Sequence, residues 1–438
     1  MTEPSIPRTR SSRPLRLSGP RHDLRGSVDL PPSKSLTNRA LIAAAAANGG
    51  IVSSPLDCGD TRILARALET AGWPVSWRSE IEVGRRVVPD DRVEIDIGES
   101  GTGARLILGL LAASPGRCVV DGSRRLRERP MGPLVDALGA LGARIHAADG
   151  SLPIRIDGLD LDGGRVAIRP EVSSQFVSSL LLAAPLMRRD LLLAVEGRMP
   201  SAPYLDLTED VLRHFGAVVD VSDDRRVWRV KASPLDFTTY EVETDWSAAA
   251  FVFAAVGVAG GDVRINRLAR NSRQGDRAVA EILAQGGLEL SSAGNGLRLA
   301  GSVNAPFRAD LEDTPDLFPA LSVVAAAAPP SSHLSGLDHL KHKESDRRST
   351  MVDNLRRLGA EITVDRSGFT VEKSLPRFLD ERALATSAND HRIAMAMAVA
   401  ALVVGEIQLD DADCVDKSFP GFWSMWQALL ADRERQQL

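Results

Sequence analysis

Six times along the chain, at intervals of roughly 70 residues, a polar clip runs straight into an Ala/Leu/Val-rich stretch of helical length. The first three junctions read SKSLTNRALIAAAAA from Ser33, SGTGARLILGLLAA from Ser100 and SSQFVSSLLLAAPL from Ser173. The others read DWSAAAFVFAAV from Asp245, DTPDLFPALSVVAAAA from Asp313 and NDHRIAMAMAVAALVV from Asn389. A stretch that is apolar on every side predicts a buried helix. A second, amphipathic helix keeps the same period and stops at Gly72, Gly142, Gly216, Gly287 and Gly359, the usual residue for a left-handed helix end. Strand-like runs follow, among them ARIHA, AVVDVS, LELSS and AEITV.

Each repeat therefore predicts an α+β unit of a buried helix, a strand, an amphipathic helix and further strands. One such unit is too small to hold a core alone, so the units must share cores. An open solenoid would end in polar capping repeats, yet the first and last helices are as apolar as the middle ones. Closing three units around a common axis buries three helices together, and doing so twice uses all six. The sixth unit ends on its amphipathic helix, PGFWSMWQALLADR, without trailing strands. RPLRLSG and RGSVDLPP near the other terminus are expected to complete it. The expected domains are residues 1–32 with 243–438, and residues 33–242, with crossings near Pro31–Pro32 and Val242–Asp245.

The polar clips carry the candidate chemistry. A helix start offers unpaired N–H groups and a positive dipole end, both suited to an anion. Lys34, Ser35 and Arg39 bring an ammonium, a hydroxyl and a guanidinium to the first start, with Ser35 and Arg39 on one face. S-G-T-G-A-R offers Gly101, where backbone can approach a ligand closely, and Arg105. In R-L-R-E-R-P, Arg125 and Arg127 read as a solvated loop, whereas Arg129 directly precedes Pro130 and the next helix. Ser173, Ser174 and Gln175 are neutral donors, and Ser201 opens S-A-P-Y. Asp316 sits in D-T-P-D-L-F-P, and H-K-E-S-D-R-R carries Lys343, Glu344 and Arg347. Arg392 precedes a long apolar run, so its burial demands an anionic partner, either Asp390 or a bound ligand. Lys417 comes before the last helix. A charge-assisted hydrogen bond contributes about 1.5–3 kcal/mol, against roughly 0.3–1 for a helix dipole. Side-chain cations therefore dominate the expected binding of more than one phosphate or carboxylate, with Asp316 and Glu344 among them as proton handlers.

Composition narrows the classes. The 438 residues carry a net charge of −5, so there is no basic face for nucleic acid. No apolar run reaches transmembrane length without polar interruption. Three cysteines, Cys58, Cys118 and Cys414, lack metal spacing and fit a reducing, cytoplasmic setting. A non-catalytic repeat scaffold for anionic partners would not require acids and cations paired at helix starts.

Taken together, PPSKSLTNRA, GTGAR, RERP, VSSQF, TPD, HKESDR, NDHRIAM and DKSFP resemble the 5-enolpyruvylshikimate-3-phosphate (EPSP) synthase family, in order, over most of the chain. The resemblance implies two similar domains, each of three βαβαββ units around buried parallel helices (an inside-out α/β barrel), with the ligand cleft between them. It implies transfer of the enolpyruvyl group of phosphoenolpyruvate to the 5-hydroxyl of shikimate 3-phosphate, by a monomer without metal or organic cofactor. It assigns Lys34, Gly101, Arg129, Gln175, Arg347, Arg392 and Lys417 to phosphoenolpyruvate. Lys34, Ser35, Arg39, Ser173, Ser174, Gln175, Ser201, Asp316, His339 and Lys343 fall to shikimate 3-phosphate, with Tyr204 beside its ring. Asp316 is implied as base for the hydroxyl, and Lys34 and Glu344 as proton donors and acceptors at carbon. Glu99-Ser100 stands where many members have Asn-Ala, Leu106 where many have Pro, and His339 where many have Asn. The sister transferase acting on UDP-N-acetylglucosamine relies on a loop cysteine, and the loop G-S-R-R-L-R-E has none.

Overall fold

The computed structural model describes residues 13–431 apart from 20–22, 159–160, 367 and 380–381. The apolar runs form helices α1 (Lys34–Ala46), α3 (Gly101–Ala112), α6 (Gln175–Ala183), α8 (Trp246–Ala259), α10 (Phe318–Ala327) and α12 (His391–Val404). Between them lie the amphipathic helices α2 (Gly59–Thr70), α5 (Gly132–Ala140), α7 (Pro203–His214), α9 (Ala278–Ala284), α11 (Arg347–Arg357) and α13 (Phe422–Ala431). Arg124–Arg127 forms a one-turn helix, α4, capped by the Ser123 hydroxyl. The sequence pattern translates directly into burial: every residue of α12 is buried, polar start included.

The second unit shows the local design. Its sheet runs Val93–Asp96, Gly116–Asp121, Ile154–Gly158, Arg144–Ala147, the first pair parallel and the other two antiparallel. The parallel pair needs a crossover, and α3 supplies it on the buried side. All five predicted glycine stops take φ between +85° and +105°, a region other residues enter only with strain.

Three strands are traded along the chain. Thr239–Glu241 pairs in parallel with Gly50–Ser53 of the α1 unit, and Leu24–Asp29 pairs in parallel with Gly261–Asn266 of the α8 unit. Leu15–Ser18 pairs antiparallel with Glu406–Leu409, so RPLRLSG does complete the sixth unit. RGSVDLPP does not. The chain passes from Glu241 almost directly into α8 and leaves no local strand to lead that unit, so Leu24–Asp29 fills the place. The two crossing segments are zipped together: Ser33 N–H donates to Glu243 O at 2.8 Å and Asp245 N–H to Pro31 O at 2.9 Å.

The buried side chains form two cores. One joins Leu17–Leu30 to residues from Trp246 to Leu429, and the other runs from Leu36 to Val242. In each, three apolar helices meet: α1, α3 and α6 in one, α8, α10 and α12 in the other. Among the described residues no helix is long and apolar enough to cross a membrane. The α3–α6 contact is tight because Gly109 lets the backbones close in, its N–H donating to Ser179 Oγ at 3.1 Å. A Cβ there would lie 2.5 Å from Ser179 O. Gly109→Val is therefore expected to cost about 1–3 kcal/mol of stability, read by chemical denaturation; an unchanged midpoint would show that the helices do not approach so closely.

Candidate functional site

All six buried helices begin at one cavity lying between the two cores. Lys34 and Ser35 come from α1, Thr102 from α3, Ser173, Ser174 and Gln175 from the start of α6. Asp245 caps α8, Asp316 lies just ahead of α10, and His391 and Arg392 open α12. Arg129, Ser201, Tyr204, Lys343, Glu344 and Arg347 complete the wall. Five cations thus face three carboxylates, and six positive helix ends add to the excess, so the cavity is built for an anion.

Arg347, 1% exposed, is the hub of the charges. Its guanidinium donates to Asp390 Oδ2 at 2.9 Å, Asp316 Oδ1 at 2.8 Å and Glu344 Oε2 at 2.9 Å. Arg392 reaches Asp316 Oδ2 at 2.8 Å, so the partner its burial demanded is Asp316, while Asp390 belongs to Arg347. Burial alone would raise the Asp316 carboxyl, but Arg392, Arg347 and Lys343 outweigh it and hold it well below the usual carboxylate range. Glu344 is likewise held ionised against burial by Lys417, Arg347 and Arg129. Burial, with Arg347 and Arg129 nearby, brings the Lys343 ammonium down to about 8 despite Asp316.

On the opposite wall, Lys34 Nζ lies 2.9 Å from Asp60 Oδ2. Burial would lower this ammonium, yet Asp60 and Glu344 keep it above its ordinary value, so Lys34 stays charged. Gln175 is held at both ends: Arg105 donates to its Oε1 at 2.9 Å and its amide donates to Thr102 Oγ1 at 2.9 Å. A Cβ at Gly101 would lie 2.2 Å from the Arg129 guanidinium, so the glycine lets that guanidinium keep its place. Ser201 takes φ +64°, with its N–H held by Glu312 O at 3.0 Å from across the cavity. Tyr204 donates to Asp316 Oδ2 at 3.0 Å.

Besides Gly101, which lies behind the Arg129 guanidinium, three of the expected residues lie off the main wall. Lys417 lines a smaller adjoining hollow shared with Glu99, Arg129 and Glu344, its Nζ donating to Glu99 O at 3.2 Å. Arg39 sits beneath the floor, where it donates to Thr208 Oγ1 at 2.8 Å and Ser35 O at 3.0 Å. His339 is buried behind the wall with both ring nitrogens unpartnered, and burial, Lys343 and Arg198 push its pKa down to about 3. Arg127 pairs with Asp121 at the surface, solvated as expected but at the end of the one-turn helix α4 and not in a loop.

Asp60, His391 and Asp276 were not singled out as site residues by the sequence. Asp60 opens α2, an amphipathic helix outside the clip pattern, and only the burial of Lys34 signals a need for it. His391 lies inside the NDHR clip, is 1% exposed, and has no hydrogen bond at either ring nitrogen, with Asp390 Oδ1 3.9 Å from Nδ1. Asp276 is buried near the cavity, and burial together with Asp316 raises its carboxyl to about 7. Cys118, in the strand Gly116–Asp121, is raised by burial to about 11 and is an inert packing thiol.

Comparison with known proteins agrees with this geometry. Residues 19–426 match the model of the family described as EPSP synthase (3-phosphoshikimate 1-carboxyvinyltransferase). The 3-phosphoshikimate 1-carboxyvinyltransferase of Methanoculleus marisnigri is 39% identical over 90% of this chain and 94% of its own. That of Methanothermobacter thermautotrophicus is 38% identical over 91% and 94%. The structure of EPSP synthase from Acinetobacter baumannii superposes with a TM-score of 0.76 at 27% identity, covering 95% of this chain and 97% of its own. The enolpyruvyl transferase NikO from Streptomyces tendae, at 17% identity and a TM-score of 0.75, shares the fold. With the match spanning both cores and every clip of the cavity, this chain belongs to the EPSP synthase family.

Proposed function

We propose that this protein transfers the enolpyruvyl group of phosphoenolpyruvate to the 5-hydroxyl of shikimate 3-phosphate, releasing phosphate. The observation that carries the reading is the meeting of six buried helix starts and five cations on one cavity, in a chain of this family. Residues 1–32 with 243–438, and residues 33–242, act as two lobes, inside-out α/β barrels of three units each, that close on the ligands. Ser35, Ser173, Ser174, Ser201, Lys343 and His339 hold shikimate 3-phosphate, with Asp316 at its hydroxyls and Arg39 supporting Ser35 from below. Lys34, Arg129, Arg347, Arg392 and Lys417 hold phosphoenolpyruvate, with Gly101 leaving room for Arg129 and Gln175 between the two ligands.

The reaction runs by addition and then elimination. Asp316 takes the 5-hydroxyl proton as that oxygen bonds to the central carbon of phosphoenolpyruvate, and the methylene carbon gains a proton. The methyl then returns a proton, the bond to the phosphate oxygen breaks, and phosphate leaves. Lys34 is the group already charged as a donor. In the free protein Asp316 and Glu344 are weak bases, because cations surround them. Anionic ligands that engage Arg347, Arg392 and Lys417 draw that positive field away, and both carboxylates become more basic when the ligands arrive. Closure of the lobes excludes water and strengthens the remaining electrostatics.

A phosphate-release assay tests the reading: turnover is expected with shikimate 3-phosphate as acceptor, and release with UDP-N-acetylglucosamine instead would overturn it. Glu344→Gln should bind both ligands nearly as tightly and lose about 100-fold or more in turnover. Calorimetry showing binding and rate lost in equal measure would remove its proton role. Since the cationic form of Lys343 is present below about 8, affinity for shikimate 3-phosphate should weaken as the pH rises through that value. Lys343→Arg should abolish that alkaline loss, because a guanidinium stays charged throughout; calorimetry across the range checks both.

A further inference from the structure

Arg125 lies in the charge run that precedes Arg129, yet its guanidinium is committed across the cleft. Nη2 donates to the backbone oxygens of Lys341 at 3.4 Å and Lys343 at 3.3 Å, and Nε to that of Glu344 at 3.2 Å. Glu128, one turn along, accepts from Nη1 at 2.9 Å and sets the orientation of the fork. Elsewhere between the two lobes Arg198 bridges side chain to side chain, to Glu312 and Asp338, and Lys417 reaches a single main-chain oxygen, that of Glu99. Arg125 instead grips the main chain of the segment that delivers Lys343 and Glu344 to the cavity. Holding consecutive carbonyls fixes the direction in which the attached side chains leave the backbone, and a planar fork with several donors does this better than a point charge.

We infer that Arg125 is a positioning residue: from one lobe it clasps the 341–344 backbone of the other, so that Lys343 and Glu344 reach working geometry only when the lobes are together. The inference rests on the enolpyruvyl-transfer reading for the roles of those two side chains. The clasp itself rests on the three backbone contacts alone. Arg125 does not line the main cavity, and although it borders the adjoining hollow with Arg129, Glu344 and Lys417, its donors are committed to main-chain oxygens and Glu128, so its loss acts through the segment.

The test compares wild type with Arg125→Ala, Arg125→Lys and, as a neighbour with a surface pair only, Arg127→Ala. Amide hydrogen exchange over residues 341–345 should quicken about tenfold in Arg125→Ala, with the core strands of both lobes unchanged. The same variant should lose about tenfold or more in kcat while KM for phosphoenolpyruvate stays within about threefold. Arg125→Lys should recover part of both, and Arg127→Ala should alter neither. Unchanged exchange at 341–345, unchanged kcat, or exchange quickened evenly over the whole chain would each overturn the inference. A wild-type protein that neither binds nor turns over these substrates would overturn the functional reading instead, and the exchange comparison on the free protein would still decide the clasp.

Discussion

A single buried guanidinium organises this protein's charge. Arg347 opens α11 and is tied to Asp390 at the cap of α12, to Asp316 ahead of α10 and to Glu344 just before its own helix. Removing Arg347 would leave the fully buried Asp390 carboxylate without its cation, a change that costs about 3–5 kcal/mol. The network is therefore rigid in the free protein, and it holds the acid-base groups beside the cations that an anionic ligand must engage. Stability and reactivity share one set of contacts.

The six-fold repetition explains how such a site can be assembled from distant residues. Each unit contributes a buried helix whose start opens toward the same hollow, and the scaffold beneath changes little from one unit to the next. Only the clip varies: an ammonium and hydroxyl in α1, glycines and Thr102 in α3, Ser-Ser-Gln before α6, carboxylates before α8 and α10, imidazole and guanidinium in α12. Duplicated architecture supplies the field, and a few side chains per unit supply the chemistry.

Much of this was legible in the sequence because helix starts announce themselves twice, by polarity before the junction and by apolarity after it. Arg392 was recognisable since a cation next to a buried run needs an anion, and Lys34, Arg129 and Arg347 because each stands at or just before a helix start. Pairing was less legible. Asp390 adjoins Arg392 in sequence but serves Arg347, since geometry around a helix cap sends a guanidinium to another unit's carboxylate. Asp60 was missed because it sits on an amphipathic helix, where an acid at the first turn is ordinary. Arg125 looked like part of a solvated run, and nothing in local spacing reveals that a facing backbone lies within reach. The exchange of Leu24–Asp29 into the α8 unit was hidden for the same reason: strand pairing across more than 200 residues leaves no local trace.

The traded strands also bear on how the polypeptide is made. The core from Leu36 to Val242 is encoded without interruption, so it can be finished while translation is still under way. Leu15–Ser18 and Leu24–Asp29 emerge first, yet their partners, Glu406–Leu409 and Gly261–Asn266, emerge far later. At ribosomal speeds, the earlier of these two segments waits on the order of tens of seconds as a bare edge. Its Arg-rich flanks and the charge of Arg16 between Leu15 and Leu17 disfavour pairing of that edge with a neighbouring nascent chain in the interval.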